Sequence, residues 1–500
     1  MEIAGTVSTI IWTAAIVGFV YISNIWRYLY DWLTYRLPPG PMPLPIIGTL
    51  WANALTKNPT KLPKAMREIA ETYGPIMTVY LGGYRMIHCS SAETVREALI
   101  TRGKDLNDRT EPVILFRQPK SAEGLAFADS GLWQKGRRWA MRAMRDFGVG
   151  KELMVEKVNE EVGHLLEFMQ KHEGEKMTSG DIFLAPVSSV ICMMIFSQRF
   201  DTKNPELMEP VSSVDAIIRT PQLANFKYVL FPFLSHIVRP KLSDEMLSNR
   251  YKIEDLLKKS IKVHEKDFDR NDIRDFVDLY IETRDDPDAL EFKQYGSIMF
   301  ELFVAGNETS TTTLEWLFLY LTKQPEYQKK CQEAIDKAID TDRLPLSKDR
   351  ANLVFVEAVV NEASRIGSVV PNGLFHANLS KPTTLAGYEV PIGTTITYNS
   401  FALHHDKEYW GDPEVFRPER WIDENGSLLK HTDHFLAFGA GPRVCMGESL
   451  ARVELFHFVV ALLQRFDFKL ETKVDNIFDG DCGFTQHPPH YLLSYKRRAL

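Results

Sequence analysis

Cysteine is scarce in this chain: five in 500 residues, at positions 89, 192, 331, 445 and 482. An odd count at such wide spacing gives no disulfide framework and fits a reducing compartment. A basic excess is missing too. With 59 Lys and Arg against 66 Asp and Glu, the net charge of −7 carries no nucleic-acid signature. There is no internal repeat and no low-complexity tract. Charge is absent altogether between Glu2 and Arg27. Ile3 to Trp26 is largely apolar, and about 20 such residues suffice to cross a bilayer as a helix. No basic segment precedes the run, and it is longer than the roughly 7–15 residues of a secretory core. A retained anchor over 3–26 is therefore expected, not a cleaved signal. Arg27 and Arg36 follow the span, which places the remainder on the cytosolic side.

After the anchor comes Leu37 to Gly48, with Pro38, Pro39, Gly40, Pro41 and Pro43. This reads as a stiff, extended strap over 37–48. The remaining residues, 49–500, read as mainly α with a minor β part. Short strands are expected at Thr78–Leu81 and Met86–Cys89 around Gly82-Gly83. Helices are expected at Lys151–His172, Gln328–Ile339, Asn352–Arg365 and from Glu448 to Phe466. Two further strands are expected at Thr384–Val390 and Thr394–Tyr398, around Pro391-Ile392-Gly393. The stretch Leu223–Val238 is apolar and aromatic and reads as a buried helix connection.

The most informative run is Phe438-Gly439-Ala440-Gly441-Pro442-Arg443-Val444-Cys445-Met446-Gly447. A lone cysteine is more often a small buried hydrophobe than a ligand, and Cys89, Cys192, Cys331 and Cys482 are assigned to that class. Cys445 differs because Phe, Gly, Arg and Gly stand at fixed offsets around it. Its three glycines let the backbone turn tightly and approach a flat group closely. The helix that begins just beyond it has a positive dipole end, which favours a thiolate.

Four other segments carry chemistry-bearing residues. Glu362-Ala363-Ser364-Arg365 places an acid and a base on one helix face, and Phe416-Arg417-Pro418-Glu419-Arg420-Trp421 follows. Trp133-Gln134-Lys135-Gly136-Arg137 opens an arginine-rich helix. Ala305-Gly306-Asn307-Glu308-Thr309-Ser310 puts Gly, an acid and a Thr inside an apolar helix, where Gly costs about 1 kcal/mol against Ala and Glu is rarely buried unpaired. Asn307-Glu308-Thr309 also spells a glycosylation sequon, which a buried helix in a cytosolic domain excludes. Last is His376, in Pro371-Asn372-Gly373-Leu374-Phe375-His376.

Together these segments resemble the signature set of the cytochrome P-450 family, in the family's order. Phe438, Gly441, Arg443, Cys445 and Gly447 match its haem-binding run in full. The match is nearest to animal microsomal, steroid- and drug-metabolising members. The resemblance implies the cytochrome P-450 fold, with haem b held by Cys445 as axial ligand of the iron. It also implies cofactor contacts from Phe438, Gly439, Arg443, Trp133, Arg137 and His376. Gly306 would open a groove for oxygen, Thr309 would hydrogen-bond oxygen or a water, and Glu308 would relay protons. Glu362, Arg365 and Arg420 would form a buried structural triad that locks the cysteine loop. For Leu223–Val238 the resemblance implies, as the alternative to a buried connection, a pocket roof that touches the membrane. Haem contacts spread from Trp133 to Gly447 argue against splitting the chain into the three or so domains its length suggests.

The implied function is O2-dependent monooxygenation of a lipophilic substrate: a sterol, fatty acid or foreign compound. Electrons would come from NADPH through a separate flavoprotein reductase. The enzyme would sit in the endoplasmic reticulum membrane, in contact with lipid, by a single-pass anchor. Two other readings stay open at this point. One is a haem-thiolate isomerase or dehydratase acting on a peroxide; the other is a haem sensor without turnover. Glu308 and Thr309 weigh against both. The expected pocket segments are Thr110–Glu123, Val214–Phe233, Tyr295–Thr309, Val369–Leu374 and Cys482–His487.

Overall fold

The computed structural model describes residues 2–52, 61–109, 123–148, 152–199, 205–219 and 241–499, apart from 342, 432 and 479. The expected roof Leu223–Val238 and most of the expected pocket segment Thr110–Glu123 lie outside the described residues.

Helix α1 spans Glu2–Thr34 and so contains the expected anchor 3–26. At 1.5 Å per residue it is about 50 Å long. The side chains of residues 2–16 lie outside the described set. From Val17 onward one face is exposed and apolar, with Phe19, Ile22, Trp26, Trp32 and Leu33. The last turns are seated on the protein instead. Asp31 is buried, pairs with Arg85 and accepts from the Tyr80 hydroxyl at 2.9 Å. The Tyr28 hydroxyl donates to the Gly82 carbonyl at 2.7 Å. The strap that follows lies along a strand edge, with Thr78 N–H on the Pro39 carbonyl at 2.9 Å and Thr78 Oγ1 on that of Pro38 at 2.8 Å. A Cβ at Gly40 would collide with the Thr78 carbonyl, so this approach needs glycine.

Helix α2 (Leu62–Tyr73) leads into β1 (Ile76–Leu81) and β2 (Tyr84–Cys89), an antiparallel hairpin turned at Gly82 and Gly83 as expected. Later come α3 (Ser130–Asp146), α4 (Glu152–Lys171), α5 (Ser179–Phe196), α6 (Pro205–Arg219) and α7 (Lys241–His264). Next are α8 (Phe276–Thr283), α9 (Phe292–Lys323) and α10 (Val354–Gly367). Strands β3 (His376–Asn378) and β4 (Thr394–Tyr398) complete a four-stranded sheet, in which β4 runs parallel to β2 and antiparallel to β3. Helix α11 (Glu448–Arg465) runs into β5 (Phe466–Leu470), which pairs with β6 (Leu492–Arg497).

One expected strand is corrected. Thr384–Val390 does not pair with Thr394–Tyr398. It breaks at Ala386 and Gly387, whose φ values of 47° and 78° make a tight turn, and folds into its own hairpin of Thr383–Leu385 against Tyr388–Val390. The expected Gln328–Ile339 helix starts earlier, at Pro325, where proline suits a first turn.

The core is built on α9, 32 residues buried along most of their length and packed against α5, α10 and α11. Helix α5 is long and apolar enough to cross a bilayer, but 72% of it is buried in this core. Its hydrophobicity belongs to packing.

Candidate active site

A cavity of about 420 Å³ lies between α9, α5, the β3–β4 edge and the Phe438–Gly447 loop. This is within the size range of small-molecule sites. Its walls bring together Cys445, Arg443, Phe438 and Gly439 from the loop, Gly306, Glu308 and Thr309 from α9, and His376 from β3. Cys445 is an exposed cysteine although its loop is enclosed by the fold, because its sulfur faces the cavity. The other four cysteines are buried.

The loop is shaped by its glycines. Gly439 and Gly441 have φ of 70° and 72°, in the left-handed region that favours glycine. A Cβ on Gly441 would collide with the Leu99 carbonyl, so this glycine also sets how closely the loop packs. Cys445 N–H donates to the Phe438 carbonyl at 2.9 Å. The backbone N–H groups of Gly447 and Glu448 reach its sulfur. They do not lower the thiol overall, as the helix start had suggested. Burial pushes it up, against those N–H groups and Arg137.

The arginines at one end of the cavity are held by backbone. Arg443 donates to the carbonyls of Asn107, Leu125 and Ala128 at 2.7–3.1 Å and lies 4.1 Å from the Trp133 ring centre. Arg109, which sequence reasoning missed, donates to the carbonyls of Ala126 and Phe375 at 2.9 Å. Neither pairs with a carboxylate among the described residues. Burial, with repulsion from Arg109 and Arg137, pushes Arg443 down to about 9. A buried and a half-buried cation, neither with a carboxylate partner among the described residues, make a site for carboxylates. A thiol facing a cavity with such a cationic end fits haem b, whose rim carries two propionates.

Trp133 and Arg137 stand one layer back from the cavity. Trp133 lies beneath Arg443, and Arg137 donates to the Val444 carbonyl at 2.8 Å. In this structure both support the loop and Arg443. His376 is buried, its Nδ1 donating to the Leu106 carbonyl at 2.9 Å. Burial and the nearby arginines push it well below its ordinary value.

On α9, the Thr309 hydroxyl donates to the Ala305 carbonyl at 2.8 Å. Gly306 has a packing reason that the sequence did not reveal: a Cβ there would collide with Ile191 of α5. Glu308 is buried and bonded to Thr485 and His487 of the C-terminal segment. Glu315 lies 3.6 Å from the other ring nitrogen of His487, so two carboxylates face one imidazole. His487 and Asp215 fall within expected pocket segments, but neither was singled out as a site residue. They lie far from Glu308 in sequence and form no motif with it.

The triad is assembled and buried. Arg365 grips both oxygens of Glu362 at 2.8 Å, and Arg420 Nε meets Oε1 at 3.0 Å. The Trp421 indole and Arg417 N–H complete the carboxylate, each at 2.9 Å. Arg365 also donates to the His404 carbonyl, and His404 Nε2 accepts the Leu436 N–H at 3.0 Å. The triad is thus two residues from the start of the cysteine loop.

Comparison with known proteins agrees with this geometry. Residues 38–495 match the cytochrome P-450 family model. The chain is 32% identical to cytochrome P-450 2E1 of Oryctolagus cuniculus over 494 residues, 96% of this chain and 98% of that one. It is 34% identical to cytochrome P-450 2C5 of the same species over 467 residues, 92% and 94% of the two chains. It is 32% identical to cytochrome P-450 2E1 of Bos taurus over 499 residues, 98% and 97%. With a cavity-facing cysteine, a cationic end and a buried triad in one fold, the chain belongs to the cytochrome P-450 family.

Proposed function

We propose that Cys445 is the axial ligand of the haem iron. One observation carries the assignment: Cys445 alone among the five cysteines opens onto the cavity that the Gly306–Thr309 segment also lines. The protein is a haem-dependent monooxygenase, an oxidoreductase that acts on xenobiotic or lipophilic compounds. It uses haem b and draws electrons from NADPH through a separate reductase. It is an endoplasmic reticulum membrane protein. Helix 3–26 is its single-pass anchor, strap 37–48 orients the domain, and residues 49–500 form the cytosolic catalytic domain. Bound haem supplies the redox chemistry that activates O2.

This chain's residues do the rest. Arg443 and Arg109 would hold the propionates of bound haem, with His376 lining the same cavity. Phe438 and Gly439 of the cysteine loop would contact the cofactor. Trp133 and Arg137 keep Arg443 and the loop in place. The triad of Glu362, Arg365 and Arg420 fixes the loop through His404. Apolar side chains such as Phe300, Val304, Leu374 and Phe484 line the cavity, exclude water and receive a lipophilic substrate for hydroxylation or epoxidation. The Thr309 hydroxyl orients a water or oxygen, and Glu308 supplies the proton. An intact Glu308–Thr309 pair favours monooxygenation over a peroxide rearrangement, which has no use for a relay.

The test is the carbon monoxide difference spectrum of the reduced protein, wild type beside Cys445→Ala. A strongly red-shifted Soret band that is lost in the variant is the expected result. An unshifted wild-type band, or monooxygenase turnover retained in the variant, overturns the ligand assignment.

A further inference from the structure

The bonds of Glu308 go away from Thr309, into a buried cluster drawn from three elements. Its Oε1 meets His487 Nε2 at 2.8 Å and accepts from Thr485 Oγ1 at 2.8 Å and Thr312 Oγ1 at 3.2 Å. His487 Nδ1 lies 3.6 Å from Glu315. Arg219 of α6 lies 3.7 Å from Glu315 and donates to Asp215 at 2.8 Å. Asp215 in turn lines one small cavity with Glu308, close enough for each carboxyl to shift the titration of the other.

The cluster holds three carboxyl groups, Asp215, Glu308 and Glu315, against two cations, His487 and Arg219. One proton on a carboxyl makes it neutral, the state that burial favours. Asp215 and Glu308 are like charges that face one small cavity, which favours placing that proton on this pair. The cations decide which end keeps it. At Glu308 burial raises the pKa, but His487 outweighs burial and holds the group well below the usual range. At Asp215 burial and the charge of Glu308 push the carboxyl up to about 6, against Arg219.

Access differs in the same sense. The Asp215 side chain is 26% exposed, while those of Glu308 and Glu315 are 5% and 6% exposed. Asp215, Glu308 and Asn307 also line a second cavity of about 10 Å³, the room of one water. Both amide atoms of buried Asn307 lack a partner among the described residues. Among the described residues, α5 brings Leu184 to the small cavity, α7 faces α6 with Asn249 bonded to Ser213, and the Tyr491 hydroxyl donates to the Glu315 carbonyl.

We propose that Asp215 is the port through which protons reach Glu308, and that His487 is the buried counter-ion that keeps Glu308 ready to receive them. This rests on the reading of Glu308 as the proton supplier. The Asp215 O–H bond breaks as an O–H bond forms on Glu308. Water reprotonates Asp215, and Glu308 gives its proton to the Thr309 end of the cavity. The balance is one proton moved inward per cycle of the pair, with no redox change. Both Asp215 and His487 are positioning residues, since they act through Glu308.

The test uses the full-length holoenzyme with its reductase and the variants Asp215→Asn, Asp215→Glu, His487→Gln and Glu308→Gln. The readouts are product formed per NADPH consumed, the pH profile of turnover, and the infrared band of protonated carboxyl groups during a pH titration. The infrared signal does not depend on turnover. Asp215→Asn should remove the carboxyl that titrates near pH 6. It should lower product per NADPH by roughly three- to tenfold and shift the acid limb of the profile, and Asp215→Glu should restore both. His487→Gln should raise the titration of Glu308 into the infrared window. Wild-type coupling and pH profile in Asp215→Asn, with Glu308→Gln uncoupled, overturn the port while Glu308 stands. Unchanged coupling in Glu308→Gln overturns the reading of Glu308 itself.

Discussion

The two sides of the cavity are built on opposite principles. The cysteine side is a clamp. Its glycines sit at backbone angles few other residues tolerate, its arginines are held by main-chain carbonyls, and its triad carboxylate is saturated with donors. The Glu308 side is a balance. Three carboxyl groups and two cations from α6, α9 and the C-terminal segment crowd together, and the Asn307 amide beside them has no partner among the described residues. A ligand loop must not move, because a small displacement at a reacting centre is costly. A proton supply must change state on every turnover, so its groups are held near balance.

The contrast can be broken most severely at the triad. Glu362→Gln leaves the fully buried Arg365 without its anion and Arg420 with Asp412 alone. The expected loss is ~3–5 kcal/mol, read as a lower thermal midpoint and little haem-loaded protein. Gly441→Ala attacks the same side through the backbone, by strain at a positive φ and a collision with the Leu99 carbonyl. It should cost about 1–3 kcal/mol and weaken haem retention during chemical denaturation.

Changes on the other side should spare stability and alter chemistry. Thr309→Ala removes a hydroxyl bonded only within its own helix, so stability should shift by roughly 0.5 kcal/mol or less. Haem should be retained while product per NADPH falls. Coupling equal to wild type would count against a role for that hydroxyl. The smallest effect is a pH dependence. Burial lowers His487, but Glu308 and Glu315 outweigh it and raise the imidazole to about 9, above its unfolded value of 6.5. Its contribution to stability is complete below pH 6.5 and is lost as pH rises through 9. The wild-type melting temperature should therefore fall over that window by more than that of His487→Gln.

The legibility of the two sides follows the same division. The cysteine loop could be read because its residues are neighbours in the chain and their spacing is the geometry. The triad could be read because an i, i+3 pair shares a helix face and the third member follows a proline-marked turn. Arg109 escaped notice because nothing local sets it apart from any surface arginine. Asp215 and His487 fell inside expected pocket segments, but their place beside Glu308 escaped notice for a stronger reason: each is ordinary where it stands, and only packing brings α6 and the C-terminal segment to Glu308. The expected strand Thr384–Val390 failed through a local detail, a left-handed Ala386 that composition does not announce.

The sequence by itself marked the expected membrane anchor, the mainly helical class, the proposed ligand cysteine and the proposed acid–alcohol pair, because each is encoded over contiguous residues. Tertiary structure alone decided which arginines lack a carboxylate partner among the described residues, that Gly306 packs against Ile191, and where Glu308 turns for its partners. Those are properties of desolvation and close approach between distant segments. They arise only when folding removes water from groups that the chain keeps far apart.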